Sequence, residues 1–290
     1  MKIVVAKTSG FCFGVERAIN KVIQLREDSD PKIRIYTLGP IIHNPQVVHK
    51  LEKLDIHPID EDQIDQLSPD DLIVIRSHGI SRRIYQKLCD KQITIIDTTC
   101  PFVKNVHRKV EKLEEEHYHV VIIGKLDHPE VEGIIGHCDQ PPIIINSADE
   151  ITDPLPNRIG VVEQTTTMQN QVQEIVGVLA LHCKEMLVYN TICQATEERQ
   201  NEARLLTQQV DRMIVVGGKN SSNTNRLYQI CLLSGKPVEM VESADELDLD
   251  KFYPGDLVGI TAGASTHHES IQDVIDKLRQ KFNGETQIFH

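Results

Sequence analysis

The segment ITIIDTTCPFVKNVHRKVEKL, residues 93–113, decides the fold. It runs from a short apolar strand through Cys100 straight into a stretch of helical periodicity. The same succession occurs twice more. KIVVAKTSGFC (2–12) leads into FGVERAINKV (13–22), and EMLVYNTIC (185–193) leads into QATEERQNEARLL (194–206). Cys12, Cys100 and Cys193 fall 88 and 93 residues apart, and 97 residues follow the last. A strand–Cys–helix junction therefore divides the chain into near-equal thirds. A thiol at a helix N-terminus meets unpaired N–H groups and the positive end of the helix dipole, and both favour the thiolate.

Between the junctions, short apolar runs alternate with helix-period segments, which predicts α/β architecture with mainly parallel sheets. The strand ends carry a second pattern. They run into GPIIHNPQ and RSHGIS, then GKLDHPEVEG and EQTTTM, then GGKNSSNTNR and TAGASTHH. Counted from the preceding junction cysteine, His43, His128 and Ser221 lie 31, 28 and 28 residues on, and His78, Thr165 and Ser265 lie 66, 65 and 72 on. Each third thus offers one Cys and two polar strand ends, the mark of a diverged repeat. Offsets near 30 also follow from the size of a βαβ unit, but the common register of the cysteines does not. Ligands of open α/β sheets bind at the carboxyl ends of strands, so three units about an axis would aim nine sites at one cavity. The expected units are 1–99, with 1–13 as the strand leading to the first Cys, then 100–192 and 193–282, with a C-terminal tail at 283–290.

Composition removes several function classes. The chain has 290 residues, a formal charge of −12, 4% aromatics and no Trp, which argues against a nucleic-acid surface built on base stacking and phosphate contacts. No apolar run reaches membrane-spanning length and no leader segment is visible, so the expected location is the cytoplasm, or an organelle in mature form. Seven cysteines, an odd number in such a chain, speak against a disulfide framework. Cys89, Cys138, Cys183 and Cys231 read as small apolar fillers.

The junction cysteines lack the CxxC pairing of structural zinc. Ligands so distant in sequence suit a centre where domains meet, and thiolates select zinc, copper(I) or iron–sulfur clusters. Purely structural thiols are the alternative. Ser221, Ser222 and Asn223 offer donors at a helix start, either as an anion nest or as simple N-caps. His43, His78 and His128 follow strands and can bind a diphosphate or ligate a metal. Glu130 is the carboxylate best placed for general acid work, against a plainer role of complementing a helix dipole. His267 and His268 read as surface residues.

In this order, GFCFGVERAI, IIHNPQVV, SHGIS, DTTCPFV, HPEVEG, QTT, TICQAT, KNSSNTNRL and TAGAS closely resemble the 4-hydroxy-3-methylbut-2-enyl diphosphate reductase family, also called IspH or LytB. The resemblance covers essentially the whole chain. It implies three similar α/β domains in a pseudo-threefold arrangement around a central iron–sulfur cavity. It implies reductive dehydroxylation of the allylic diphosphate to isopentenyl and dimethylallyl diphosphates, the last step of the non-mevalonate isoprenoid pathway. One 4Fe-4S cluster would be held by Cys12, Cys100 and Cys193, with one iron left for the substrate hydroxyl. His43, His78, His128, Ser221, Ser222, Asn223 and Ser265 would hold the diphosphate. Thr165 would orient the hydroxyl and Glu130 would deliver the proton. A ferredoxin or flavodoxin is the implied electron donor. Three rivals stay open: a quinolinate-synthase-like dehydratase, a zinc hydrolase, and a phosphate-binding module with structural cysteines. Arginine forks suited to dicarboxylates are not prominent at the strand ends, whereas Ser, Asn and His donors are.

Overall fold

Apolar runs without alternation, such as LIVI at 72–75 and HVVII at 119–123, belong in strands covered by helices on both faces. The structure is a computed structural model describing residues 1–42 and 44–289. Its strands form three parallel sheets, which gives the α/β class expected. Among the described residues no helix is long and apolar enough to cross a membrane.

β1 (Lys2–Val5) and α1 (Phe13–Asp28) come first. β2 (Ile35–Leu38), α2 (Pro45–Glu52), β3 (Ile56–Ile59), β4 (Leu72–Ile75), α3 (Arg82–Asp90) and β5 (Thr94–Asp97) follow, with strand order β3-β2-β4-β5. After α4 (Pro101–Glu115), the set β6 (His119–Ile123), α5 (Pro129–Ile135), β7 (Ile143–Ile145), β8 (Arg158–Glu163), α6 (Gln169–His182) and β9 (Glu185–Val188) repeats that order as β7-β6-β8-β9. After α7 (Gln194–Gln209) come β10 (Arg212–Val216), α8 (Ser222–Leu232), β11 (Val238–Val241), β12 (Leu257–Ala262), α9 (His268–Phe282) and β13 (Glu285–Ile288). Their sheet runs β11-β10-β12-β1-β13.

β1 therefore holds the fourth place of this last sheet, as β5 and β9 do in theirs. All three fourth-place strands lead to a junction cysteine. This differs from the expected grouping of β1 with residues 14–99. The expected tail also differs, because β13 pairs in parallel with β1. The assignment has a physical reason. Ile3, Val4 and Val5 are buried and suit an interior strand, whereas the polar ETQI run of β13 is largely exposed and suits an edge. The chain forms two compact units, one of residues 1–16, 43–47 and 194–290, the other of 17–42 and 48–193. The second unit holds two of the sheets.

Strand periodicity divides each core into two faces. Ile3, Val5, Ile214 and Val216 pack with Ile271, Val274 and Leu278 of α9. Val4, Ala6, Met213 and Val215 face the other way, against Ala203 and Leu206 of α7 and Leu227 of α8. In the second unit, Val106, Val110 and Leu113 of α4 cover Val120, Ile122 and Val162. Each junction thus sends the chain from one sheet to a helix grouped with the next: α4 lies on β6 and β8, and α7 lies on the sheet of β1. From Arg17 onward α1 belongs to the unit of β2–β5, and its Arg17 donates to the Thr98 carbonyl at 3.3 Å.

Leu113 fits α4 to its sheet only because Gly160 of β8 lacks a side chain. A Cβ at Gly160 would collide with Leu113 Cδ2 and lie 2.8 Å from Cδ1 and 2.9 Å from Cγ, and Leu113 is fully buried. Gly160→Ala is expected to destabilise the protein by about 1–3 kcal/mol through overpacking. Denaturant midpoints of the two proteins check this, and equal midpoints would contradict it.

Candidate functional site

In each sheet the strand order reverses between the first and third strands of its set, β2/β4, β6/β8 and β10/β12. Such switch points form ligand crevices at the strands' carboxyl ends. The same hydrogen bonds recur there. Gly39, Gly124 and Gly217 follow the first strands and donate to the carbonyls of Ile59, Ile145 and Val241 at 2.8, 3.0 and 2.9 Å. The backbone N–H groups of Cys12, Cys100 and Cys193 donate to the carbonyls of Ala264, Ser77 and Thr165 at 3.0, 2.9 and 3.0 Å. Every junction cysteine is therefore stitched to the loop after the third strand of its own sheet.

Cys100 is the N-cap of α4, and the Cys12 carbonyl accepts the first helical bond of α1 from Glu16 at 2.9 Å. All three junction cysteines are half-buried. Cys12 belongs to one unit and Cys100 and Cys193 to the other. Among the described residues no group of three or more His, Cys, Asp and Glu side chains is placed to hold a metal ion. The donor chemistry fits a soft metal centre all the same: three thiols in one register, each beside a helix start. The remaining cysteines sit differently. Burial pushes the Cys138 thiol up to about 12 and Cys231 up to about 11, and it also raises Cys183. Cys89 is exposed on α3, so its expected role as a buried filler is corrected; its position on α3 turns it to solvent.

In the second unit, β6 and β8 are neighbours, and this brings Glu130 to Thr165. Glu130 lies in the first turn of α5 and is 2% exposed. Its Oε1 accepts from the Thr165 N–H at 2.6 Å and its Oε2 from the Thr165 hydroxyl at 2.8 Å. Burial raises its carboxyl to about 7, against the lowering effect of the two Thr165 bonds. This is a carboxyl poised to exchange a proton near neutrality. His128 caps α5, its Nδ1 accepting from the Glu130 N–H at 3.1 Å. An accepting Nδ1 carries no proton, so the neutral ring donates from Nε2. The His78 ring meets His128 edge-on at 5.6 Å between centroids. His78, His128, Glu130 and Thr165 are thus assembled in one place. His43 lies outside the described residues.

The first unit carries the Ser and Asn candidates. Ser221 caps α8, accepting from the Thr224 N–H at 3.3 Å, so capping accounts for its hydroxyl. Capping does not account for Asn223, where both side-chain amide atoms are buried without a partner among the described residues, nor for the Ser265 hydroxyl, buried in the same way. Unpartnered buried polar atoms destabilise a fold, and a polar ligand would satisfy these. The Ser265 carbonyl accepts from Asn44 Nδ2 at 2.7 Å. Ser222 opens α8 and is half-buried. Gly217 has φ +148, and a Cβ there would lie 2.6 Å from Thr266 Oγ1 and 2.7 Å from Thr224 Oγ1. The close approach of this loop therefore requires glycine.

Sequence reading missed the groups that hold the cysteine loops. Glu202 of α7 accepts from the N–H groups of Lys7 and Thr8 at 2.6 and 2.9 Å and from the Thr8 hydroxyl. Arg199 of α7 donates to the Gly10 carbonyl at 2.9 Å. Both fix the loop that ends at Cys12. Glu163 fixes Thr191, two residues before Cys193. None of these pairings has a sequence signal, since each joins elements far apart in the chain. His267, read as a surface residue, instead caps α9 by accepting from the Glu269 N–H at 3.2 Å and meets Phe11 edge-on at 5.2 Å. His268 is exposed.

Comparison with known proteins finds relatives over nearly the whole chain. A family model described as LytB protein matches residues 3–279. A 4-hydroxy-3-methylbut-2-enyl diphosphate reductase from Thermoanaerobacter sp. (strain X514) is 43% identical over 280 residues, covering 96% of this chain and 97% of its own. A solved (E)-4-hydroxy-3-methyl-but-2-enyl diphosphate reductase, the terminal enzyme of the non-mevalonate pathway, is 40% identical with a TM-score of 0.71, over 97% of this chain and 100% of its own. The E-1-hydroxy-2-methyl-but-2-enyl-4-diphosphate reductase from Plasmodium falciparum is 29% identical with a TM-score of 0.90, over 99% of this chain and 91% of its own. A match over nearly the whole length, on a fold shared with both solved enzymes, shows that the chain is an oxidoreductase that belongs to the LytB family.

Proposed function

We propose that the chain reduces 4-hydroxy-3-methylbut-2-enyl diphosphate to isopentenyl and dimethylallyl diphosphates, using a 4Fe-4S cluster held by Cys12, Cys100 and Cys193. One observation carries the reading. Thr165 binds the carboxyl of Glu130 through its N–H and hydroxyl, and binds the Cys193 N–H through its carbonyl. A single residue thereby ties a proton donor poised near neutrality to a metal-ligand candidate. The relatives' names supply the substrate.

Hydroxide is a poor leaving group and departs only with a proton and electrophilic help. The bound cluster would relay two electrons, one at a time from an external donor, and would offer a Lewis-acidic iron. Glu130, protonated below about 7, gives its proton to the departing hydroxyl, and Thr165 orients that hydroxyl. The allylic fragment then takes a proton at either end, which yields two products from one site. The diphosphate would be held by His43, His78, His128, Ser221, Ser222, Asn223 and Ser265. His128 offers an Nε2–H, and Asn223 and Ser265 offer buried donors that lack partners among the described residues. The same reading takes a ferredoxin or flavodoxin as electron donor and the cytoplasm as location.

The test is turnover of the allylic hydroxy-diphosphate by anaerobically loaded protein with an artificial electron donor, products identified by mass spectrometry. Both isomeric diphosphates are expected. A fully loaded protein that releases neither would overturn the assignment.

A further inference from the structure

Glu163 ends β8 and is 0% exposed. Its Oε2 accepts from the Thr191 N–H at 2.6 Å and lies 2.8 Å from the Thr191 hydroxyl. That hydroxyl in turn accepts from the Glu163 N–H at 2.7 Å. The second carboxylate oxygen, Oε1, is buried with no partner among the described residues. A buried carboxylate with an unmatched oxygen costs stability, so packing alone gives no reason for it. An apolar pair of the same size would serve the core better.

Its place in the chain gives a reason. Residues 163–165 and 191–193 run side by side, closed at one end by Glu163 with Thr191 and at the other by the Thr165 carbonyl with the Cys193 N–H. The far end includes a backbone bond. The near end is the part of the clasp made by side chains. Thr165 also carries both bonds to Glu130. A slip of the 191–193 segment would therefore move the Cys193 thiol relative to Glu130 without moving any other strand.

We propose that Glu163 is a positioning residue, whose clasp on Thr191 holds the Cys193 thiol in register with the Glu130–Thr165 pair. The inference rests on Cys193 being a cluster ligand, as proposed above. Groups that orient the ligands of a metal site act on its retention as well as its activity. The consequence is read as iron loss, independent of turnover.

The experiment uses the full chain, loaded anaerobically, and follows iron transfer to a chelator together with the cluster's electron paramagnetic resonance signal after reduction. Glu163→Ala and Thr191→Val are each expected to lose iron about 10-fold faster than the parent, and to change the signal. Glu163→Gln keeps an oxygen where Oε2 accepts from the Thr191 N–H, so it is expected to stay within roughly three-fold of the parent, a rescue that a charge effect would not give. The double variant Glu163→Ala/Thr191→Val is expected to lose iron less than the two single effects combined, because the contact between the Thr191 hydroxyl and Oε2 is lost in both. Parent-like iron retention in both Glu163→Ala and Thr191→Val would overturn the clasp, as would fully additive losses. If Glu163→Ala does not fold, Thr191→Val decides between the same results. A parent that takes up no iron overturns the cluster reading itself, which separates the two failures.

Discussion

Glu130→Gln is expected to lower turnover by roughly 10²–10⁴-fold, the usual contribution of a general acid, while making the fold more stable in mild alkali. Both effects come from the same burial. Glu130 holds its proton up to about 7, against an ordinary carboxyl value near 4. In the unfolded chain the group ionises at the lower value and is charged in water. In the folded protein it resists ionisation. The sign follows directly: its contribution to stability is full at low pH, falls as pH rises from the unfolded value to about 7, and is constant beyond. The accumulated loss is on the order of 3 kcal/mol. Gln keeps an oxygen for Thr165 and cannot ionise, so the variant escapes that loss. Denaturant unfolding at pH 5 and pH 8 checks the stability half, and the parent is expected to lose more between the two than the variant. For turnover, the parent's rate should fall as pH rises through about 7, because the proton to be donated is gone. A parent rate that climbs through that range would remove Glu130 from the role of acid.

Replacing any one junction cysteine by serine is expected to reduce turnover at least about 100-fold, and by similar factors for Cys12, Cys100 and Cys193, since a lost ligand is at least as damaging as a lost supporting group. The similarity is the sharper part. The three N–H groups are tethered at 3.0, 2.9 and 3.0 Å to equivalent loops, so the three thiols are expected to share one role. Serine at Cys138 or Cys231, whose thiols burial holds in the protonated form, should change turnover no more than a few-fold. Assays of all five variants at matched protein concentration settle the comparison. A junction variant with near-parent turnover would break the equivalence.

The repeat was legible because strand–Cys–helix junctions advertise both partners: an apolar run before the thiol and helical periodicity after it. What the chain does not advertise is pairing between strands. β3 and β13 escape notice because both are edge strands. An edge tolerates the Pro58 of IHPI, which can lack one ladder bond, and the polar ETQI run needs no buried face. Membership of β1 in the last sheet is equally silent in sequence order, because parallel pairing joins the two ends of the chain. The helices after Pro129 and Ser222 are legible only at their starts, since their first turns hold site residues in place of an apolar stripe. At the site, residue types were legible and their company was not. Glu130 and Thr165 stand 35 residues apart and meet only because β6 and β8 are neighbours. The same holds for Glu163 with Thr191, where a glutamate ending VVE looks like any polar strand end.

Iron and acid-labile sulfide per chain after anaerobic loading test the central claim most directly, measured for the parent beside the three junction variants. The account predicts a 4Fe-4S complement of equal iron and sulfide in the parent, depleted in each variant. A parent that binds zinc without sulfide, or a Cys193→Ser protein that loads as fully as the parent, would contradict it.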